Sequence, residues 1–115
     1  VFAGDYNVVP TDGDVYDPRV WHDDALCQPA ARACFRRLLH IGYIDAIRAL
    51  RDEDHQYTWW DYRGRCWPGD KGLRIDHILL SPQATDLLQA GGIDREPRGW
   101  ERASDHTPVW CELAA

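Results

Sequence analysis

The sequence predicts an α/β or α+β domain, because segments with strand character alternate along the chain with segments that carry helix signals. At 115 residues the chain is long enough for one domain and no more. Its hydrophobic content of 44% and charged content of 28% are typical of a soluble globular protein. No apolar run approaches the roughly 20 residues that a membrane helix needs.

The first half of the chain is predicted to hold one strand and two helices around a long loop at residues 8–22, which is rich in Pro, Asp and Gly. Proline opens a helix, aspartate caps one and glycine ends one, so these residue types mark the boundaries. In chain order the elements are a strand over residues 1–4 that ends at Asp5, a helix from Pro29 to about Gly42, and a helix capped by Asp45 that ends at Leu50.

The second half is predicted to be mainly strands. Residues 73–80 are rich in Ile and Leu and form the clearest predicted strand, and Ser81-Pro82 after it is a helix-start pair. That helix is expected to run to about Ala90 and to stop at Gly91-Gly92. Further strands are expected over residues 57–62, 93–96 and 107–113.

The net charge of −6 argues against a general polyanion binder. One stretch departs from this mean, because basic residues alternate there with tryptophans, a pattern typical of nucleic-acid contact loops and equally of a solvated hairpin. These residues are Arg63, Arg65, Lys71 and Arg74 beside Trp59, Trp60 and Trp67. The four cysteines include no C-x-x-C pair, so no zinc site is predicted and reduced cysteines in a cytoplasmic protein are preferred.

Three short segments place acidic, amide or imidazole groups at the ends of predicted strands. They are Gly4-Asp5-Tyr6-Asn7, Gly72-Leu73-Arg74-Ile75-Asp76 and Ser104-Asp105-His106. Hydrolysis of a phosphodiester needs an activated water and neutralised charge, which a carboxylate-held metal and a positioned carboxylate or imidazole supply. The side chains predicted to converge at one end of the sheet are Asp5, Asn7, Asp76 and His106.

These side chains also have purely structural interpretations. Asp5 and Asn7 favour turns. Asp76 lies inside an apolar strand and needs a partner, for which Arg74 and His106 are both candidates. A carboxylate on one imidazole nitrogen would fix the tautomer of His106 and let the ring stabilise charge on a phosphate oxygen. His77 is expected to point to the opposite face of the strand from Asp76, and it is interpreted as structural.

The order of these motifs, with Trp59-Trp60-Asp61-Tyr62-Arg63 between the first two, resembles the C-terminal half of the exodeoxyribonuclease III type of AP endonuclease, in the endonuclease/exonuclease/phosphatase superfamily. The resemblance runs from about Gly4 to Glu112. It implies half of a four-layer α/β sandwich over residues 1–115, with one mostly antiparallel sheet flanked by helices and with the N-terminal half absent. In the family, that absent half supplies an Asn, a metal-binding Glu and an active-site Tyr. The 115 residues without it are therefore expected to be inactive.

The resemblance also implies roles for individual residues. Asp5 would transfer a proton at the water or the leaving group, Asn7 would hydrogen-bond in the site, and Asp76 would pair with His106. The residues implied at the metal, Mg²⁺ or Mn²⁺, are Asp105 and His106, although a loop hydrogen bond is the alternative role of Asp105. The implied substrate contacts are Trp59, Leu73 and Ile75 around a base-free sugar, with core packing as the alternative, and Arg63 and Arg74 on phosphates.

The implied activity is that of a Mg²⁺-dependent DNA-repair nuclease that cuts double-stranded DNA beside abasic sites and trims 3′ ends. The alternatives are a phosphoesterase of the same superfamily that acts on RNA or a small phosphoester, and a non-catalytic nucleic-acid-binding module. The full-length protein is expected to be a cytoplasmic monomer with no membrane partner. The 115 residues alone are expected to self-associate through an apolar sheet face that holds Val109 and Cys111, or Leu73 and Ile75.

Overall fold

A computed structural model describes all 115 residues, and its strands form two antiparallel sheets. The helices and strands are β1 (Phe2–Asp5), α1 (Pro18–Trp21), α2 (Pro29–His40), β2 (Ile44–Asp45), α3 (Ala46–Leu50), β3 (Asp76–Leu80), α4 (Pro82–Thr85), β4 (Leu88–Ile93) and β5 (Val109–Leu113). Strand β3 lies between β1 and β2 in one sheet, and β4 pairs with β5 in the other. The mixed α/β class and the antiparallel pairing are as predicted. None of these helices has the length and apolar composition to span a bilayer.

Helices α2 and α3 begin and end close to where the sequence predicts, whereas the short helix α1 lies within the segment predicted to be loop. Proline occupies the first turn of α2, and Asp45 caps α3 by accepting a hydrogen bond from the backbone N–H of Arg48 at 3.2 Å. Just beyond α2, Gly42 has a φ of 115°, a conformation that side chains disfavour. Local capping chemistry is therefore enough to place both helices.

The strand predicted over residues 57–62 is not formed. Instead, single bridges join Trp59 to Leu73 on one side and to His106 on the other, because this extended segment serves two different partners. For the same reason β3 begins at Asp76 and not at residue 73. Residues 57–62 nevertheless connect the motif that contains Leu73 to the motif that contains His106.

The helix after β3 is shorter than predicted. It ends at Thr85, and Gly91-Gly92 lies inside β4 and does not stop a helix. A Cβ atom on Gly91 would come within 2.8 Å of the Leu50 side chain and 3.0 Å of the β5 backbone. The glycine therefore serves close packing in the sheet, and the strand predicted over residues 93–96 comes earlier and ends at Ile93.

Neither apolar sheet face proposed for self-association is fully exposed. Leu73 and Ile75 lie in the core, at 0% and 3% exposure. Val109 and Cys111 are half-buried against the cluster that contains Leu80. Strand β1 is exposed along its whole length. The prediction that Leu73 and Ile75 lie on an exposed sheet face is therefore wrong, while self-association itself stays a prediction.

A network of buried charges crosses the core behind β3. The guanidinium of Arg74, 2% exposed, donates from Nε to Asp14 at 2.8 Å and from Nη1 to Asp45 at 2.9 Å. Arg48 donates a further hydrogen bond to Asp14 at 2.6 Å. Burial by itself would raise the pKa of Asp14, but the charge of Arg74 and hydrogen bonds from Arg74 and Thr11 outweigh burial and hold this pKa below its ordinary value.

His77 belongs to the same network and points to the face opposite Asp76, as predicted. Its Nδ1 lies 3.3 Å from Nη1 of Arg74, and its Nε2 lies 2.9 Å from the carbonyl oxygen of Val8. Arginine only donates, so Nδ1 accepts and the single ring proton is on Nε2, from which it is donated to Val8. Burial, followed by the charge of Arg74, lowers the pKa of His77 and keeps the ring neutral in the folded protein.

We expect the free energy of unfolding to fall as the pH drops below the ordinary imidazole value of 6.5, because His77 takes up a proton there in the unfolded chain but not in the folded one. The charged groups around the ring are Arg74, Asp14 and Asp45. Urea unfolding between about pH 5 and about pH 8 measures this slope. The variant His77→Gln, which cannot titrate, should have a flatter slope than the wild type, and equal slopes would contradict the assignment.

Candidate active site

The candidate site lies where β1 ends and β3 begins. The two strands are antiparallel, and Asp5 is the cross-strand partner of Asp76. Directly opposed residues project from the same side of a sheet, and two carboxylates in this arrangement repel each other. The pair therefore destabilises the fold unless a positively charged or hydrogen-bond-donating group lies beside it.

His106 supplies such a group. Its Nδ1 is 2.9 Å from Oδ2 of Asp76 and 3.1 Å from Oδ1, and its Nε2 is 3.8 Å from Oδ2 of Asp5. An ionised carboxylate can only accept, so Nδ1 carries a proton and donates it. One nitrogen or oxygen atom from each of the three side chains lies within 4.8 Å of the other two. The predicted meeting of Asp5, Asp76 and His106 is confirmed, and the partner of Asp76 is His106 and not Arg74.

Thr58 connects the strand of Asp76 to the segment of His106. Its hydroxyl accepts hydrogen bonds from the backbone N–H groups of Ile75 at 3.1 Å and Asp76 at 3.2 Å. Its carbonyl accepts one from the N–H of Thr107 at 2.9 Å. Thr58 is fully buried, so these bonds are shielded from water. Sequence reasoning missed this residue, because nothing distinguishes it from any threonine in an extended run.

Asn7 shapes the loop that follows Asp5. Its backbone has a φ of 50°, in the left-handed region that asparagine tolerates better than most residues. Its N–H donates to Oδ1 of Asp5 at 2.8 Å and leaves Oδ2 on the side of His106. The Asn7 side chain is exposed and hydrogen-bonds to none of the other site residues, so its predicted place in the site stays a prediction.

Asp105 lies next to the three-residue cluster but is not part of it. Its Oδ2 accepts a hydrogen bond from Nε1 of Trp59 at 3.0 Å, and its Oδ1 has no hydrogen-bond partner in the chain. The bridge between Trp59 and His106 places the half-buried indole beside the site. One oxygen of Asp105 is thus free for a metal, and its metal role stays a prediction.

Three of the five predicted substrate contacts are inaccessible. Arg74 is 2% exposed and held by buried carboxylates, so it cannot reach a phosphate. Leu73 and Ile75 pack in the core, so they cannot line an open sugar pocket. Arg63 differs, because its side chain is 89% exposed and pairs only with Asp61, at 2.9 Å. Of the two arginines predicted to contact phosphates, only Arg63 is exposed to solvent, and its phosphate contact stays a prediction.

The basic and aromatic stretch folds against the segment that leads to His106. Trp60 is buried, and its indole N–H donates at 3.0 Å to Asp70, which Arg95 also contacts at 2.8 Å. The Tyr62 hydroxyl donates to the carbonyl oxygen of Ala103 at 2.9 Å. The stretch therefore has a packed side and a solvent side, and the basic residues on the solvent side are Arg63, Arg65 and Lys71.

Comparison with known proteins gives consistent results. The model of the endonuclease/exonuclease/phosphatase family matches residues 1–106. Exodeoxyribonuclease III of Haemophilus influenzae is 34% identical over 98% of this chain, which is 45% of that protein. Two similar solved structures are the 3′ phosphatase NExo from Neisseria bound to a product DNA hairpin (42% identity, TM-score 0.93) and an AP endonuclease from Archaeoglobus fulgidus (29% identity, TM-score 0.92). Each covers 98% of this chain and 44% of its own, so the chain spans less than half the length of these relatives.

Proposed function

Because this chain belongs to the endonuclease/exonuclease/phosphatase family, a family of metal-dependent nucleases, we propose that it is the part of a DNA-repair phosphodiesterase that carries the catalytic aspartates and histidine. The observation that carries this proposal is the cluster of Asp5, Asp76 and His106, whose nitrogen and oxygen atoms lie within 4.8 Å of one another. A binding module needs no such cluster, because two facing carboxylates repel both each other and a phosphate.

The proposed chemistry divides between the two ends of the cluster. Asp76 accepts from Nδ1–H of His106 and so fixes the orientation of the ring. When Nε2 is protonated as well, the imidazolium can donate from Nε2–H to a phosphate oxygen and stabilise the charge that develops there. On the other side, Asn7 holds Oδ1 of Asp5, and Oδ2 is free to accept a proton from a water or to orient that water.

A bound divalent metal would polarise the phosphate ester that is hydrolysed and neutralise its charge. Mg²⁺ prefers oxygen ligands, and the oxygen of this chain that remains for it is Oδ1 of Asp105, because Oδ2 of Asp5 is assigned to the water. Because Mg²⁺ prefers oxygen to nitrogen ligands, we assign Nε2 of His106 to hydrogen bonding and not to the metal. We propose that further ligands, including a glutamate, come from sequence outside these 115 residues, which alone would then be inactive.

The substrate we propose is duplex DNA with a modified 3′ end or an abasic site. The chain is more similar to the Neisseria 3′ phosphatase, at 42% identity, than to the Archaeoglobus AP endonuclease, at 29%. We therefore place processing of 3′ ends first and incision beside abasic sites second.

Turnover by the full-length gene product on two matched duplexes tests this function. One duplex carries a 3′ phosphate at a nick and the other an internal abasic site. With Mg²⁺ we expect both to be processed, the 3′ phosphate faster, and we expect EDTA to abolish and added Mg²⁺ to restore the activity. Preferred hydrolysis of RNA or of a small phosphoester would contradict the substrate, and DNA binding without turnover in Mg²⁺ or Mn²⁺ would contradict catalysis.

A further inference from the structure

We propose that the buried His77 is a positioning residue for the carboxylate of Asp5. The ring contacts the chain on both sides of Asn7. Its Nε2–H donates to the carbonyl of Val8 at 2.9 Å, and its edge meets the Tyr6 ring at a centroid distance of 5.5 Å and an interplanar angle of 76°. His77 therefore contacts the loop of residues 6–8, which follows β1 directly after Asp5.

The orientation of Asp5 depends on that loop. Asp5 is exposed, and so is the rest of β1, so side-chain packing does not fix its carboxylate. The carboxylate is instead held by the N–H of Asn7 at 2.8 Å, at the point where the backbone turns through the left-handed conformation of Asn7. Such a conformation costs free energy in a non-glycine residue and persists only where the surroundings determine it. Tyr6 and Val8, both held by His77, are those surroundings.

His77 is itself held rigidly from behind. Nη1 of Arg74 donates to its Nδ1, and Arg74 is anchored on Asp14 and Asp45 at 2.8 and 2.9 Å. The Phe35 ring packs against the imidazole at a centroid distance of 4.9 Å. Arg74 thus fixes both the place and the tautomer of the ring, so that its one proton faces Val8. The arginine of the Gly-Leu-Arg-Ile-Asp motif serves the site from behind, although it cannot touch the substrate.

Core packing alone does not require an imidazole at this position. The ring is 1% exposed, and burying a polar group costs free energy that an apolar side chain would avoid. Leu79 lies two residues further along the same face of β3, and it packs against Phe35 of helix α2, as His77 does, without a polar atom. What an apolar residue could not supply is the hydrogen bond to Val8, and that bond is what reaches the catalytic loop.

The test compares two replacements of His77 in the full-length gene product. His77→Phe keeps a ring between Tyr6 and Phe35 but loses both hydrogen bonds, whereas His77→Gln keeps one donor and one acceptor. Leu80→Val is the control, because Leu80 is fully buried in the same strand but packs on Ala46 and Ile78, away from the loop. The measurements are the single-turnover rate on the 3′-phosphate duplex, the Kd for that duplex, and the NMR signal of the Asn7 amide.

We expect His77→Phe to lower the single-turnover rate by about 100-fold with little change in Kd, because a catalytic group is misplaced while the DNA contacts remain. The Asn7 amide signal should shift, His77→Gln should restore both rate and signal, and Leu80→Val should change neither. Equal rates and an unshifted amide in His77→Phe, or the same loss in Leu80→Val, would overturn the proposal. If His77→Phe does not fold, His77→Asn, which is too short to span both partners, replaces it.

The catalytic part of this inference rests on the proposed function, but the positioning part does not. A wild-type protein without nuclease activity would refute the proposed function. The Asn7 amide would still decide the role of His77, because it reports the hydrogen bond to Asp5 directly.

Discussion

His106→Ala is expected to lower the single-turnover rate of 3′-phosphate removal by roughly 100- to 1,000-fold, the loss seen when one donor to a developing negative charge is removed. The substitution deletes the imidazole that Asp76 orients at 2.9 Å and leaves Asp5 and Asp76 facing each other across the strands. Binding of the ground state should change little, since the lost interaction is made mainly in the transition state. Rapid quench on the 3′-phosphate duplex with Mg²⁺ gives the rate, and fluorescence anisotropy gives the Kd.

His40→Ala is the matched control for this variant. His40 ends helix α2 on the surface and makes no side-chain hydrogen bond or ion pair in the structure. Its rate should equal that of the wild type. A near-normal rate in His106→Ala would show that the Asp76–His106 pair is structural and that the proposed catalytic role is wrong.

Arg74→Met is expected to lower the free energy of unfolding by about 3–5 kcal/mol, because it leaves the buried Asp45 without its ion-pair partner and Asp14 with Arg48 alone. The side chains of Asp14 and Asp45 are 0% and 8% exposed. When ionised, both carboxylates can only accept hydrogen bonds, so each needs a donor beside it. Methionine keeps most of the length of the side chain, so the lost ion pairs dominate over lost packing. Urea unfolding at neutral pH measures the change.

Arg63→Met tests the other arginine that was predicted from the sequence, like Arg74, to contact a phosphate. The Arg63 side chain is 89% exposed, and we expect no measurable change in unfolding. Instead, Arg63→Met should weaken DNA binding and reduce its dependence on salt concentration, as expected for a lost phosphate contact. An Arg74→Met protein as stable as the wild type would contradict the assignment of Arg74 to the core network.

The features that could be predicted from the sequence depend on neighbours along the chain. Proline at the start of α2 and Asp45 at the start of α3 act within one helical turn, so their signals are local. The meeting of Asp5 with Asp76 and His106 was also predictable, because each follows or begins a strand and strand ends meet at sheet edges. Arg74 and His106 were both candidate partners of Asp76, and the resemblance to a known family favoured His106.

The features that could not be predicted depend on residues far apart in sequence. Arg74 and Asp14 are 60 positions apart, so nothing local distinguishes a buried ion pair from a phosphate contact. Leu73 and Ile75 alternate as strand residues do, yet their burial depends on the loop that packs over them. Residues 86–93 show the ambiguity of short apolar runs, which suit a helix or a strand until a partner strand decides.

Whether Asp5 and His106 serve one phosphate is tested most directly by the double variant Asp5→Asn with His106→Ala. Residues that act as a unit show strongly non-additive losses, so the double variant should remove the 3′ phosphate from this duplex about as slowly as the slower single variant. The single-turnover rates of the wild type, both single variants and the double variant decide it. Losses that multiply would mean that the two residues act independently, and they would contradict a single Asp5–Asp76–His106 site.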